Sequence, residues 1–370
     1  RETEVLFRNL YFDDMIDIIE EMPSNLVKKI LKNTNSEDRY LINQFLNYPE
    51  NSAGSIMTTE YVDLKKNMKV SQAIKEIRDT VEEKENIYTC YVISEDRKLE
   101  GVVSLKELIT SDDDVTIESI MNRNFVSAHA NDDQEVVADI IKKYDLIILP
   151  VVDIENRLLG IITIDDIIDV IEQEDTEDFH RMAGISPVEE TYLKTSAFTM
   201  ARQRIMWLVV LMISATFTGM VIKKYEEVLQ SAVYLAVFIP MLMDTGGNAG
   251  SQSATLIIRG IALEEIEFSD IFKVIWKELR VSILVGFILS GINFLRIYYF
   301  TKSGFETSLI VAISMFLTII MAKVIGGVLP LVAKSLKIDP AIMASPLITT
   351  IVDTAALIVY FQLSVVFLHI

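Results

Sequence analysis

Residues 240–253 read Pro-Met-Leu-Met-Asp-Thr-Gly-Gly-Asn-Ala-Gly-Ser-Gln-Ser and lie inside an apolar region, with Leu235 to Ile239 before them and Ala254 to Ile258 after. A hydrocarbon interior offers the backbone no water, so a proline, three glycines and a run of polar side chains are costly there. Such a stretch is tolerated where the backbone is buried in protein or lines water. On this reading the helix breaks at the motif. Pro240 then leaves the Ala236 carbonyl without its helical donor, able to face a hydrated cation. The rival reading is a close helix crossing built on small residues, which does not by itself call for Asp244, Asn248 and Gln252.

The motif belongs to the second of five apolar segments, at about 205–222, 229–258 (broken), 279–300, 307–332 and 340–370. Each approaches or exceeds the roughly 20 residues that span a bilayer. With the N-terminus inside, the cytoplasmic flanks hold Lys194, Arg202, Arg204, Arg259, Lys273, Lys277, Arg280, Lys334 and Lys337, against Lys223, Lys224, Arg296 and Lys302 outside. This obeys the positive-inside rule and puts the C-terminus outside. Lys323 falls mid-membrane, so it snorkels or faces the bundle interior. In the last segment Asp339 caps the helix, Pro340 starts it and Pro346 frees a carbonyl. Asp353 then stands deep in the membrane near Thr349 and Thr350. A carboxylate there costs at least ~2.5 kcal/mol unless paired or wet, so it marks an ion path, with a bond to a neighbouring helix as the rival reading.

Charge divides the chain. Residues 201–370 carry a net of +2 and residues 1–200 a net of −21, out of −19 in all. An acidic soluble half repels nucleic acid and attracts cations. With no signal peptide ahead of it, this half is expected in the cytoplasm. A start at Arg1 rather than Met suggests a fragment. The single Cys90 excludes an intramolecular disulfide and a cysteine-based zinc site, and suits a buried strand.

Residues 1 to about 50 show helical periodicity in Met15, Ile18, Ile19 and Met22, in Leu26, Val27, Ile30 and Leu31, and in Leu41, Ile42, Phe45 and Leu46. So few helices must pack on the next domain to bury their stripe. A repeat follows. Ser55-Ile-Met57 and Ser119-Ile-Met121 open its two copies; Gly101-Val-Val-Ser-Leu-Lys-Glu-Leu108 and Gly160-Ile-Ile-Thr-Ile-Asp-Asp-Ile167 close them. Each copy reads β-α-β-β-α over about 60 residues, with Asn131 and Gln134 capping the middle helix of the second. Past it, Asp165, Asp166, Asp169 and Glu172 share one helix face and Ile164, Ile167, Ile168 and Ile171 the other, with Glu174, Asp175, Glu177 and Asp178 prolonging the acidic run. Taken alone, such a run is a solvated face. Ser186, Pro187 and Glu189 read as the start of a further helix, from Pro187 to about Thr199, lying along the membrane surface.

The duplicated unit resembles a CBS-domain pair. That resemblance implies nucleotide binding by Ser104, Lys106 and Glu107 in one copy and Thr163 with Asp166 in the other; the alternative is a bare turn and helix cap. Residues 240–253, the CBS pair and Asp339-Pro-Ala…Ser345-Pro-Leu-Ile-Thr-Thr…Asp353 together closely resemble the MgtE family of magnesium channels, from about Ser52 to the C-terminus. The implied fold is a multidomain membrane protein. It has a short all-α N-terminal domain (1–52), an α/β CBS pair (53–180), an amphipathic plug helix (181–201) and an all-α five-helix pore domain (202–370). The resemblance implies pore ligands at Asp353, Asp244 and Asn248. It also implies regulatory magnesium held between cytoplasmic domains by Glu135, Asp145, Asp166, Asp169, Glu174 and Asp178. A homodimer in the plasma membrane, doubling Asp353 at a two-fold interface, is the expected assembly. Its function is a Mg²⁺ channel closed by cytoplasmic Mg²⁺, with ATP or another adenine nucleotide as a further ligand. The rivals are a sodium-coupled exchanger, a CBS-regulated membrane enzyme and a module that only senses nucleotide. The enzyme reading lacks any nucleophile–base pair in the membrane half.

Overall fold

The computed structural model describes residues 15, 16, 18, 19, 22, 23, 26, 27, 30, 36–187, 192–343 and 345–369. It forms two compact units, Arg1–Glu174 and Asp175–Ile370.

In the first unit, helix α1 spans Ser36–Phe45 and follows further helical residues among Met15–Ile30. The duplicated unit follows as β1 (Tyr61–Leu64), α2 (Val70–Thr80), β2 (Asn86–Ile93), β3 (Leu99–Ser104) and α3 (Leu105–Thr110), then α4 (Ile117–Ile120). The second copy is β4 (Ala128–His129), α5 (Gln134–Tyr144), β5 (Ile148–Val152), β6 (Leu158–Thr163) and α6 (Ile164–Met182). In each copy the first strand pairs parallel to the second and the second antiparallel to the third, with Cys90 opposite Val103 and Leu149 opposite Ile162. The repeated Ser-Ile-Met and Gly are exchanged between copies. Met57, opening the first, lies against Gly160 of the second, and Met121, opening the second, lies against Gly101 of the first. A Cβ at Gly160 would stand 2.5 Å from the Thr58 carbonyl oxygen, so no larger residue fits.

The N-terminal stripe does bury itself on its neighbour. Ile16, Ile19, Ile42 and Phe45 join Ala128, Val137, Ile141, Leu149 and Ile162 of the second copy in one core. Cys90 is buried on β2, as a lone cysteine should be. Two expectations change. Asp133, not Asn131, caps α5, its side chain accepting from the Glu135 amide. On α6 the core face is Ile167 and Val170, whereas Ile168 and Ile171 are exposed. The whole acidic run lies within that helix, since α6 continues to Met182.

The second unit holds α7 (Ala197–Lys224), α8 (Glu226–Ser231), α9 (Ile239–Ala262), α10 (Ile271–Arg296), α11 (Phe305–Ser335) and α12 (Ser345–Leu368). Of the connecting helix expected over 187–199, residues 188–191 lie outside those described and 192–195 form a turn. Ser196 caps α7, its hydroxyl accepting from the Thr199 amide at 3.1 Å. Among the described residues four helices are long and apolar enough to cross a membrane, within 197–224, 268–301, 305–335 and 340–368. The motif helix α9 is not one of them, because its polar residues dilute its hydropathy.

The motif helix is also unbroken. A 3₁₀ turn (Val233–Phe238) precedes it, the Ile239 amide donates to the Ala236 carbonyl, and Pro240 sits in the first helical turn. There its missing N–H costs nothing. The last helix likewise starts later than its prolines suggest. Asp339 accepts from the Ala341 amide at 2.8 Å and caps a 3₁₀ turn (Pro340–Met343), while Pro346 lies in the first turn of α12, where it removes no helical hydrogen bond.

Candidate cation path and sensor residues

The motif helix has two opposite faces. Gly246, Gly247, Gly250, Ser253 and Ala254 are buried, whereas Asp244, Asn248 and Gln252, four residues apart, are exposed on one stripe. The glycines let neighbouring helices approach. A Cβ at Gly246 would lie 2.7 Å from Thr318 and 2.9 Å from Val352, and one at Gly247 would lie 2.8 Å from Thr349. One at Gly250 would lie 2.8 Å from Ile348, and one at Gly326 only 2.2 Å from the Gly250 carbonyl oxygen. The small residues therefore serve a close crossing of α9 with α11 and α12, the packing alternative, while the polar residues face away from it.

Asp353 is half-buried on α12, close enough to Asp244 for their charges to interact. The next residue, Thr354, shares a 3.0 Å hydrogen bond with Thr218 of α7, which fixes this part of the helix laterally. Thr349 and Thr350 both donate back to the Pro346 carbonyl, at 2.9 and 3.0 Å, so their hydroxyl protons are already committed. Carboxylate, amide and carbonyl oxygens suit a hard divalent cation that keeps much of its water.

The acidic half distributes its carboxylates along two helices. Glu135 is in the first turn of α5, and Asp145 ends that helix in the left-handed conformation at φ 50°. Asp166, Asp169, Glu174 and Asp178 lie along α6. Asp166 accepts from the Thr163 hydroxyl, and Glu174 from the Gln134 amide at 2.8 Å, which ties α6 to α5. Among the described residues no three His, Cys, Asp or Glu side chains converge into a ready-made metal cluster. The proposed nucleotide residues are engaged as helix caps. The Ser104 amide and hydroxyl bond the Glu107 carboxylate at 2.8 and 2.9 Å, the Glu107 amide returns to the Ser104 hydroxyl at 3.1 Å, and Lys106 is exposed beside them.

Two features escaped the sequence reading. Arg181, near the end of α6, forms ion pairs with Glu177 and with Asp339. Glu278, between the flank residues Lys277 and Arg280, is buried on α10 together with Lys323 of α11, which does face the bundle interior. An acidic residue between Lys277 and Arg280 gives no periodic signal that would have singled it out.

Residues 239–363 match a family of divalent cation transporters, 53–113 and 117–173 each match the CBS domain, and 1–51 match an intracellular N domain of the same transporters. The chain is 36% identical over 318 residues to the magnesium transporter MgtE of Thermus thermophilus, covering 86% of this chain and 70% of that one. It is 34% identical over 357 residues to that of Bacillus subtilis, covering 96% and 78%. Among solved structures, the cytosolic domain of the Mg²⁺ channel MgtE in complex with ATP is 36% identical, with a TM-score of 0.42, over 44% of this chain and 66% of that one.

Proposed function

Because this chain belongs to the MgtE family of divalent cation transporters, we propose that it is a magnesium-selective channel of the plasma membrane, closed by cytoplasmic Mg²⁺. The observation that carries this reading is the stripe of Asp244, Asn248 and Gln252 on α9 beside the half-buried Asp353 of α12. In one chain that stripe is exposed and α7 buries none of its residues. A second copy related by a two-fold axis would enclose the stripe and double the carboxylate. Five spans, with α9 as the second, place the first unit in the cytoplasm and the C-terminus outside. Asp353, Asp244 and Asn248 hold the permeating ion largely through its water, since Mg²⁺ dehydrates reluctantly.

Closure is a linkage effect. Glu135, Asp145, Asp166, Asp169, Glu174 and Asp178 repel one another when bare and hold Mg²⁺ when domains close around it, so bound ions stabilise the shut form. Moving a gate from mostly open to mostly shut needs about 5.5 kcal/mol, within reach of several weak sites acting together. Adenine nucleotide binds at Ser104, Lys106, Glu107 and Thr163, at the N-termini of α3 and α6. The chain is a transporter, not an enzyme.

Uptake of Mg²⁺ into liposomes tests the reading, measured with and without a sodium gradient and with Mg²⁺ on the cytoplasmic face. The expected flux is independent of sodium, falls as cytoplasmic-side Mg²⁺ rises, and vanishes in Asp353→Asn. Flux that stops when sodium is removed establishes the coupled exchanger instead. Wild-type flux in Asp353→Asn removes the path assignment.

A further inference from the structure

Behind the motif, on the side of α9 away from Asp244, a single hydroxyl joins three helices. Ser253 is fully buried, and its hydroxyl donates to Glu278 Oε2 of α10 at 2.6 Å. It accepts from Lys323 Nζ of α11 at 3.4 Å. Glu278 and Lys323 are themselves 8% and 6% exposed. Gly327 makes room for the acid: a Cβ there would come within 3.1 Å of Glu278 Cγ. Lysine, serine and glutamate thus form a relay with one charge of each sign, which is how two buried charges escape the cost of standing alone.

Charges inside a helix bundle are weakly screened and act well beyond contact distance. Ser253 follows Asn248 by five residues, about 7.5 Å of helix rise, so an uncompensated charge at the relay acts on a cation near Asn248 and Asp353. We propose that Glu278, through Ser253, masks the Lys323 charge from the cation path, and that this pair sets the affinity of the path for divalent cations. The inference rests on the reading of α9 and α12 as that path. It differs in sign from a packing role. A relay that only holds helices together weakens in the same direction whichever end is removed. A masking pair moves affinity in opposite directions, because Glu278→Gln exposes a positive charge and Lys323→Gln a negative one.

The experiment is the Mg²⁺ concentration for half-maximal uptake into liposomes, with Asp353→Asn measured in parallel. Glu278→Gln should raise it on the order of tenfold and Lys323→Gln should lower it by a similar factor. The double variant should return it toward the wild-type value. If a single variant does not fold, the exchanged pair Glu278→Lys/Lys323→Glu keeps one charge of each sign and is read as the double variant is. Single variants that move the same way, or not at all, overturn the proposal, as does a double or exchanged pair that stays displaced tenfold. Asp353→Asn separates the two levels: if it abolishes uptake the path reading stands whatever the pair does, and if it transports normally both readings fall.

Discussion

Gly326→Ala is the sharpest perturbation of the helix crossing that carries the path. The added Cβ would lie 2.2 Å from the carbonyl oxygen of Gly250, 2.9 Å from its carbonyl carbon and 3.1 Å from its Cα. All three are backbone atoms of α9, so no side chain can swing aside. A nonbonded carbon sits comfortably at about 3.5 Å, and the helices must therefore part by roughly 1 Å. A gap of that size forfeits a quarter to a half of each dispersion contact along the seam, which includes Gly246 against Thr318. The expected cost is about 3 kcal/mol, the upper end for overpacking a core. That is on the order of a hundredfold in the folded-to-unfolded ratio. Gly219→Ala is the control, since nothing lies within 4 Å of its Cβ position. It should be neutral or stabilising by up to about 1 kcal/mol, because alanine is the better helix former. Thermal melts of detergent-solubilised protein, followed by retention of the monodisperse peak, compare the two. A Gly326→Ala protein that melts with the wild type refutes the argument and revives a loosened, broken motif.

Other outcomes follow from the same contacts. Burial pushes the Cys90 thiol up to about 12, so folded protein should resist alkylation at pH 8 and label only after denaturation. Because that thiol stays protonated when folded, its contribution to stability should be lost as pH climbs from about 9 towards 12, and Cys90→Ala should remove this alkaline loss. Arg181→Ala and Asp339→Asn should each cost the second unit about 1 kcal/mol of stability, with the double variant no worse than Arg181→Ala, because Asp339→Asn removes a pair that loss of Arg181 has already removed, whereas Arg181 also pairs with Glu177. Ser104→Ala should cost ~1 kcal/mol through its lost cap. If the same hydroxyl holds nucleotide, calorimetric titration with ATP should weaken in step, and wild-type protein that takes up no ATP ends the nucleotide reading.

The sequence spoke most clearly where burial is periodic. Alternating strands, the returning Ser-Ile-Met and Gly signals, and the stripe through Ile42 and Phe45 each report a face pressed on a core, and the duplicated sheets stand where those patterns put them. It misled at the motif because helix propensity counts glycine and proline as breakers wherever they occur. Pro240 turned out to lie in a first turn, and the glycines to lie against Thr318, Thr349 and Ile348, contacts from chain segments some seventy to a hundred residues away. Glu278 was unreadable for a related reason: a charge near the end of an apolar run looks like a flank until a helix from elsewhere buries it. The carboxylates of α6 show the same limit, since spacing puts them on a helix but cannot say which amide, such as Gln134, meets them.

The exchange of methionines between the two halves of the duplicated unit bears on any attempt to graft one of them. A chimera that imports only the second copy from a relative would bring a foreign residue opposite Met57 and remove the native support of Gly101. Both junctions would then fail together, at places far from the splice. A successful transplant therefore carries the stretch from Ser55 through Ile167 intact.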